Sequence, residues 1–299
     1  MPVSPKATIV IIGGDQRELY LADYLLSSGY SVRLCGFEKQ SKLPAPNYLD
    51  PHEAARGVQA VIIPLSGLKE TMQPNCKFSE AAPVLDEDFF MGLPAQTPVF
   101  IGWARPALRD LVRTAGVRLI EIGEDDELAI LNSIPTAEGM IYLAMEKTPI
   151  TIHGSNCLVI GFGRCGFSLA RMLKGMGAKV TVAARKAPDL ARAYEMGFET
   201  CLVSELDEGI KDKEFIFNTA TAMVLTKYVL QNATRCQIIL DMASGKGGTD
   251  FEATEALCMQ AILVPGLPGI IAPVSAGKIL ARVYPRLLKE NGINGGKGQ

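Results

Sequence analysis

Residues 152–185 read IHGSNCLVIGFGRCGFSLARMLKGMGAKVTVAAR, and this stretch constrains the fold more than any other. The apolar run 157–160 is followed by Gly161-Phe162-Gly163-Arg164-Cys165-Gly166. A helix-period pattern at Phe167, Leu169, Ala170 and Leu173 comes next, and then a β-type run over 180–184. In a strand–turn–helix–strand unit of this kind the first glycine makes the tight turn. The second lets a pyrophosphate approach the backbone, and the third lets the helix lie close to the sheet with its N-terminus facing the phosphates. The glycines carry little weight alone; in this context they mark a dinucleotide-binding βαβ unit. A glycine-rich turn that only packs a helix on a sheet is the alternative.

The rest of the composition narrows the class. With 299 residues, 48% hydrophobic and 21% charged, the chain can form one large or two medium globular domains. A formal net charge of −2 offers no electrostatic case for nucleic acid or an anionic membrane as partner. The apolar run 58–68 is broken by Pro64 and Gly67 and is too short to span a bilayer, and the first six residues lack the apolar core of an export signal. The seven cysteines form no CxxC pair, which fits reduced thiols in a cytoplasm. Two histidines, His52 and His153, give no metal-ligand cluster, so no metal is expected.

Taken in order, the chain begins with a second βαβ-like unit: strand 8–12, turn 13–15, helix 17–28 and strand 30–35. Its turn reads GGDQR, which places Asp15 where a pyrophosphate would sit. Arg17 is therefore either a substrate-facing cation or half of a surface Asp–Arg pair. Strands follow at 60–63 and 98–101. The first delivers Ser66 in a Pro-Leu-Ser-Gly turn, and the second delivers Trp103 and Arg105, either a stacking and anion-binding corner or a packed ring beside a solvated cation. The C-terminal strand edge is where open α/β sheets bind ligands. Residues 69–83 read as a long surface loop. A helix at 108–115 and a strand at 118–122 lead to the acidic run 124–127, which suits the start of the next helix through its macrodipole. That helix is expected from about 132 to 147, with Asn132 or Ser133 as cap and Pro135 in the first turn. It would be the interdomain connection, its polar start facing the cleft.

Beyond the glycine turn, strands at 215–217, 237–240 and 261–264 each end in a polar or glycine-rich loop. These loops bring Asn218 and Thr219, Asp241 and Lys246, and Pro265 toward one edge. An amphipathic helix at 276–288 and a disordered tail at 291–299 close the chain. The second strand of the dinucleotide unit ends Ala184-Arg185-Lys186 with no nearby acid except Asp189. NAD sites usually carry a carboxylate there for the ribose 2′-OH. Two cations and no carboxylate favour NADP(H) over NAD(H), with solvated cations and mixed specificity as the alternative. The cofactor-binding candidates are thus Gly161, Phe162, Gly163, Arg164, Cys165, Gly166, Ala184, Arg185, Lys186, Asn218, Thr219 and Pro265. Glu138, Asp241 and His153 are the titratable candidates for acid–base work, His153 reading equally as a core or hinge histidine.

Five strings occur in one order: NSIPTAEG (132–139), TIHGSN (151–156), GFGRCG (161–166), DMASGKGGTDF (241–251) and PGLPGIIAPVSAG (265–277). With GGD and Arg of 13–17 and IPLSG of 63–67, they resemble the family of dipicolinate synthase A subunits over nearly the whole chain. Gly245-Lys246 depart from it where a proline is expected. The resemblance implies an α/β fold of two Rossmann-like, doubly wound domains. Residues 1–133 would form the substrate domain, joined by a returning helix at 276–290, and residues 134–275 the NADP-binding domain. It also implies NADP-linked oxidation of a dihydrodipicolinate-level intermediate of the lysine pathway to pyridine-2,6-dicarboxylate, in the mother cell of a sporulating bacterium. The partner it implies is the flavoprotein-like B subunit of dipicolinate synthase. A small planar dianion needs cationic or amide cradles, for which Arg17, Ser66, Trp103, Arg105, Asn132, Ser133 and Lys246 are the candidates. Homo-oligomerisation stays open. Two other readings are a 2-hydroxyacid or amino-acid dehydrogenase, against which the lack of any histidine after His153 counts, and a non-catalytic NADP-binding regulatory protein.

Overall fold

The structure, a computed structural model, describes residues 7–40, 42–243 and 245–295. Contacts divide the chain into two compact units: the residues up to Leu131 together with those from Pro273 onward, and Asn132–Ala272.

The strands of the first unit are β1 (Thr8–Ile12), β2 (Ser31–Cys35), β3 (Asn47–Tyr48), β4 (Ala60–Ile62), β5 (Pro98–Ile101) and β6 (Arg118–Glu121). They pair in parallel in the order β3-β2-β1-β4-β5-β6. A parallel sheet covered by helices on both faces needs apolar side chains on both faces, which is why β1 is an unbroken aliphatic run. Ile9 and Ile11 point into a core with Leu21, Leu25, Val283 and Leu287, whereas Val10 and Ile12 point into another with Phe89, Phe90 and Val112. Strand order reverses between β1 and β4, so the first glycine turn and the Pro64–Gly67 turn meet at a topological switch point.

The second unit repeats the plan with β7 (Asn156–Ile160), β8 (Lys179–Ala184), β9 (Glu199–Leu202), β10 (Phe215–Asn218), β11 (Ile238–Asp241) and β12 (Ala261–Leu263). The order β12-β11-β10-β7-β8-β9 is again all parallel and reverses between β7 and β10. Asn218 is level with Ile160 on one side and with Asp241 on the other, so three strand ends converge at the reversal.

The helix Pro273–Glu290 returns to the first unit and packs on helix Gln16–Ser27, as the family resemblance implied. Close approach depends on Gly277, where a Cβ would stand 2.6 Å from Cβ of Tyr20. Tyr284 is buried edge-on against Phe100, centroids 5.8 Å apart, among Leu280, Val283 and Leu288. Each such side chain contributes about 1.5–3 kcal/mol by leaving water.

Three expectations are corrected. The connecting helix starts at Asp126, not near Asn132, and runs to Lys147. Its first turn is capped by Asp125, whose Oδ1 accepts the amide of Leu128 at 2.9 Å, and the acidic run begins it. Pro135 lies inside, and Thr136 Oγ1 donates to the Asn132 carbonyl at 2.8 Å in the turn that the proline disturbs. Among the described residues this is the one helix long and apolar enough to cross a membrane. Its buried Ala137, Met140, Ile141 and Ala144 belong to the core of the second unit, which accounts for the composition. Thirdly, the end of the chain is not a loose tail as far as it is described: Ile293 is buried and Arg118 donates to the Asn291 carbonyl at 3.0 Å. Residues 296–299 lie outside the described residues.

Candidate functional site

The glycine turn after β7 holds three glycines for three different reasons. Gly161 has φ +94°, and a Cβ there would run into Thr219 Oγ1, which together with the Thr219 amide bonds the Ile160 carbonyl. A Cβ on Gly166 would strike the Gly161 carbonyl oxygen, so helix Arg164–Gly175 can rest on the turn only because that position is bare. Around Gly163 nothing lies within 4 Å of where a Cβ would stand, and its φ of −81° is ordinary. The protein's own packing does not ask for glycine there. The space that a Cβ would fill is the approach to the first amides of a twelve-residue helix, where a pyrophosphate binds. The residues fit a dinucleotide.

This turn forms the floor of a cleft of about 570 Å³. At one end stand Ala184, Arg185, Lys186 and Asp189, and at the other Thr219, Ala220 and Met242. Arg185 and Lys186 are exposed, and no carboxylate ends β8. Arg164 and Cys165 open the helix and line the cleft, the thiol of Cys165 held up by burial. Phe162 contributes backbone, because its ring is buried against Phe167 and Phe198 at 5.5 and 6.1 Å.

At the far end, Asn218 and Asp241 are both fully buried. Asp241 Oδ2 accepts from Asn218 Nδ2 at 2.9 Å, the Gly248 amide at 2.8 Å and Thr249 Oγ1 at 2.7 Å. Oδ1 accepts the Ala243 amide at 2.9 Å. Asn218 in turn binds both polar groups of the Ala220 peptide region, its Nδ2 donating to the carbonyl and its Oδ1 accepting the amide. Asp241, a candidate acid–base residue on sequence, is therefore a framework carboxylate with every donor already supplied by the protein. Lys246 is exposed on the loop it holds, and Pro265 is exposed just beyond β12.

His153 lies away from the glycine turn. It sits before the N-terminal end of β7, exposed, with Nδ1 3.1 Å from the Met176 carbonyl. A five-residue strand, about 16 Å at 3.3 Å per residue, separates it from the glycine turn at the opposite sheet edge. Ser133 is also removed from a substrate-binding helix start. It is buried inside the helix with its hydroxyl 2.6 Å from that of Ser168, and the Asn132 carbonyl is taken by Thr136. Glu138 is exposed on the same helix, one residue before Gly139, whose missing Cβ makes room for Leu267 and Ile271 just after β12.

In the first unit Arg17, Ser66, Trp103 and Arg105 all follow C-terminal ends of parallel strands. Asp15 caps the helix and holds the Arg17 guanidinium at 2.9–3.2 Å, and Glu18 completes the capping box by accepting the Asp15 amide at 2.8 Å. Asn75 bridges the two turns at this edge: its carbonyl accepts the Gly14 amide at 2.6 Å and its side chain reaches Ser66 Oγ at 3.4 Å. Trp103 is 54% exposed, its ring lying over Gly123 and its Nε1–H donating to Glu124 at 3.2 Å. Arg105 pairs with Glu70 at 2.8 Å in solvent. The ready-made anion cradle expected of these side chains is thus partly filled by the protein's own carboxylates.

Comparison with known proteins agrees with both halves. Residues 8–123 match the family described as the N-terminal domain of the dipicolinate synthase A subunit. Residues 138–239 match the NAD-binding domain of the D-isomer-specific 2-hydroxyacid dehydrogenases. The dipicolinate synthase A subunit of Bacillus subtilis is 38% identical over 291 residues, 97% of this chain and 98% of that protein. The chain belongs to the family of dipicolinate synthase A subunits. Two crystal structures of family members superpose closely. The Bacillus halodurans protein has TM-score 0.91 and 38% identity, covering 94% of this chain and 97% of that one. The B. subtilis protein has 0.89 and 37%, covering 96% and 97%. D-lactate dehydrogenase from Escherichia coli, at TM-score 0.59 and 14% identity over 96% of this chain and 98% of that one, shares the fold. The family's name implies a second, partner polypeptide.

Proposed function

We propose that this chain is the nicotinamide-dependent component of a dipicolinate synthase, with NADP(H) preferred. It would oxidise the dihydrodipicolinate-level intermediate of the lysine pathway to pyridine-2,6-dicarboxylate. One observation carries the reading: the open Gly163 cradle shares its cleft with Arg185 and Lys186, two cations against the single carboxylate of Asp189 at that end, and β8 itself ends without an acid to hold a ribose 2′-OH. When bound, the nicotinamide supplies the hydride acceptor. The chain's own part is to hold a small dianion and to accept a proton as the ring becomes aromatic. Arg17, Ser66, Trp103 and Arg105 of the first unit are the groups for the carboxylates. Arg17 and Arg105 would exchange Asp15 and Glu70 for substrate oxygens. Glu138 is the proton acceptor we assign, because Asp241 is saturated by donors and His153 lies at the wrong sheet edge.

The test is turnover by the purified chain with NADP+ and the freshly generated intermediate, with and without the flavoprotein-like partner. Absorbance of the aromatic product and of NADPH should rise together, one for one. NADP(H) binding without turnover under either condition would favour a regulatory role. On cofactor choice, Arg185→Asp should weaken NADPH binding by about 100-fold, the loss of an attractive pair plus a repulsive one, and NADH binding by less than about threefold. Equal losses would show that Arg185 does not read the 2′-phosphate.

A further inference from the structure

The loop that follows β4 crosses back over the first glycine turn and is pinned there from both sides. The Gly14 amide donates to the Asn75 carbonyl at 2.6 Å, and the Lys77 amide donates to the Gly14 carbonyl at 2.9 Å. Two bare positions make room for the loop. A Cβ on Gly13 would stand 2.6 Å from Pro74 Cγ, and one on Gly36 would stand 2.9 Å from Cys76 Sγ. A glycine turn of this kind commonly offers its amides to a nucleotide's phosphates. Here the chain's own backbone takes the Gly14 amide, and the crossing leaves one side chain at the topological switch point.

That side chain is Asn75. Its Nδ2 donates to Ser66 Oγ at 3.4 Å, a long hydrogen bond, and its Oδ1 has no partner among the described residues. Both residues are exposed. Ser66 belongs to the turn after β4 and Asn75 lies over the turn after β1, so the pair stands where strand order reverses. Ser66 Oγ accepts from Asn75, which leaves its own proton to donate elsewhere, and Asn75 keeps a second N–H. Two neutral donors are thus unspent side by side. The charged donors at this sheet edge are already committed, Arg17 to Asp15 and Arg105 to Glu70. An ionised carboxylate only accepts, and it has two oxygens, so each oxygen can meet one donor of the pair.

We propose that Asn75 is a substrate-binding residue, and that with Ser66 it receives one carboxylate of the dicarboxylate substrate. The proposal rests on the reading of the reaction given above. The amide is what makes the position a donor: an aspartate of the same shape would accept only, and would set its charge against the ligand. The backbone of the crossing loop fixes Asn75 whatever its side chain, since the bonds to Gly14 are made by peptide groups.

The experiment is calorimetric titration of the full chain, saturated with NADP+, with pyridine-2,6-dicarboxylate. Asn75→Ala should weaken binding by about tenfold or more, the loss of a hydrogen bond to a charged acceptor. Asn75→Asp keeps the shape and can still accept the Ser66 hydroxyl, but binding should fall by about 100-fold, because a donor is replaced by a like charge. Both variants should take NADP+ as the unaltered chain does. An asparagine that only braces the turn gives the opposite order, with aspartate tolerated and alanine not. Affinity within about threefold of the unaltered chain in either folded variant overturns the proposal and leaves the proposed reaction standing. If the unaltered chain takes NADP+ but no pyridine-2,6-dicarboxylate, the proposed reaction falls and this site with it.

Discussion

Glu18→Gln tests whether the first glycine turn stores a proton. Glu18 is 1% exposed; Oε2 accepts the Asp15 amide, and Oε1 is buried with no partner among the described residues. Burial, opposed by Arg17 and reinforced by Asp15, pushes its carboxyl up from 4.5 to about 7. Because the folded value is raised, the group's contribution to stability is complete below pH 4.5 and is lost as pH rises through 7. Two to three pH units at about 1.4 kcal/mol each make a loss of about 3 kcal/mol between pH 4.5 and 8. Glutamine keeps an acceptor for the Asp15 amide and cannot ionise, so whatever its fixed cost, that cost does not vary with pH. Urea midpoints of the two proteins measured every half unit should therefore converge or cross as pH rises, with the variant gaining relative to the parent by about that amount. Parallel curves from pH 4.5 to 8 would refute the argument, since they would mean that Glu18 is equally charged in folded and unfolded chains.

Other outcomes follow from the same geometry. Gly163→Ala should fold with stability within about 1 kcal/mol of the parent and lose most nucleotide affinity. Gly166→Ala, whose methyl meets the Gly161 carbonyl, should cost about 2 kcal/mol or more, both read by denaturation and titration. Arg286 binds Asp125 at 2.7 Å, Glu127 at 3.0 Å and Glu290 at 3.1 Å. Arg286→Ala should lower stability by about 1 kcal/mol, with the difference shrinking in 1 M salt. Thiol labelling at pH 8 should find Cys258 fast, since it is exposed, and Cys35, Cys157 and Cys236 unreactive until unfolding, because burial pushes those three up to about 12.

Much of this was legible in the residues. Apolar runs such as 9–12 and 157–160 announce strands buried on both faces, and the glycine string between strand and helix announces its ligand class. What sequence could not supply was competition between partners. Pro135 fits a first helical turn, but Asp125 offers a better cap, and the helix absorbs the proline with help from Thr136. Asp241 follows a strand like any catalytic acid, and only its four donors reveal that it is already spent. Arg17 looks like a free cation until Asp15 is seen gripping it. The short helices Pro51–Ala54 and Glu87–Met91 carry little periodicity, and single aspartate caps at Asp50 and Asp86 are their main signal.

The returning helix Pro273–Glu290 makes the first unit discontinuous along the chain, while the second is one uninterrupted run. As the chain leaves the ribosome, β1 to β6 emerge first but lack Leu280, Val283, Tyr284 and Leu287, which complete the core on one face of their sheet. The residues of the second unit are all available before those side chains are made. The part synthesised second can thus fold first, and the part synthesised first must wait, one apolar face open, for the last helix. A chain stopped at residue 272 would keep a folded nucleotide domain and carry an unfinished one, a state suited to capture by chaperones.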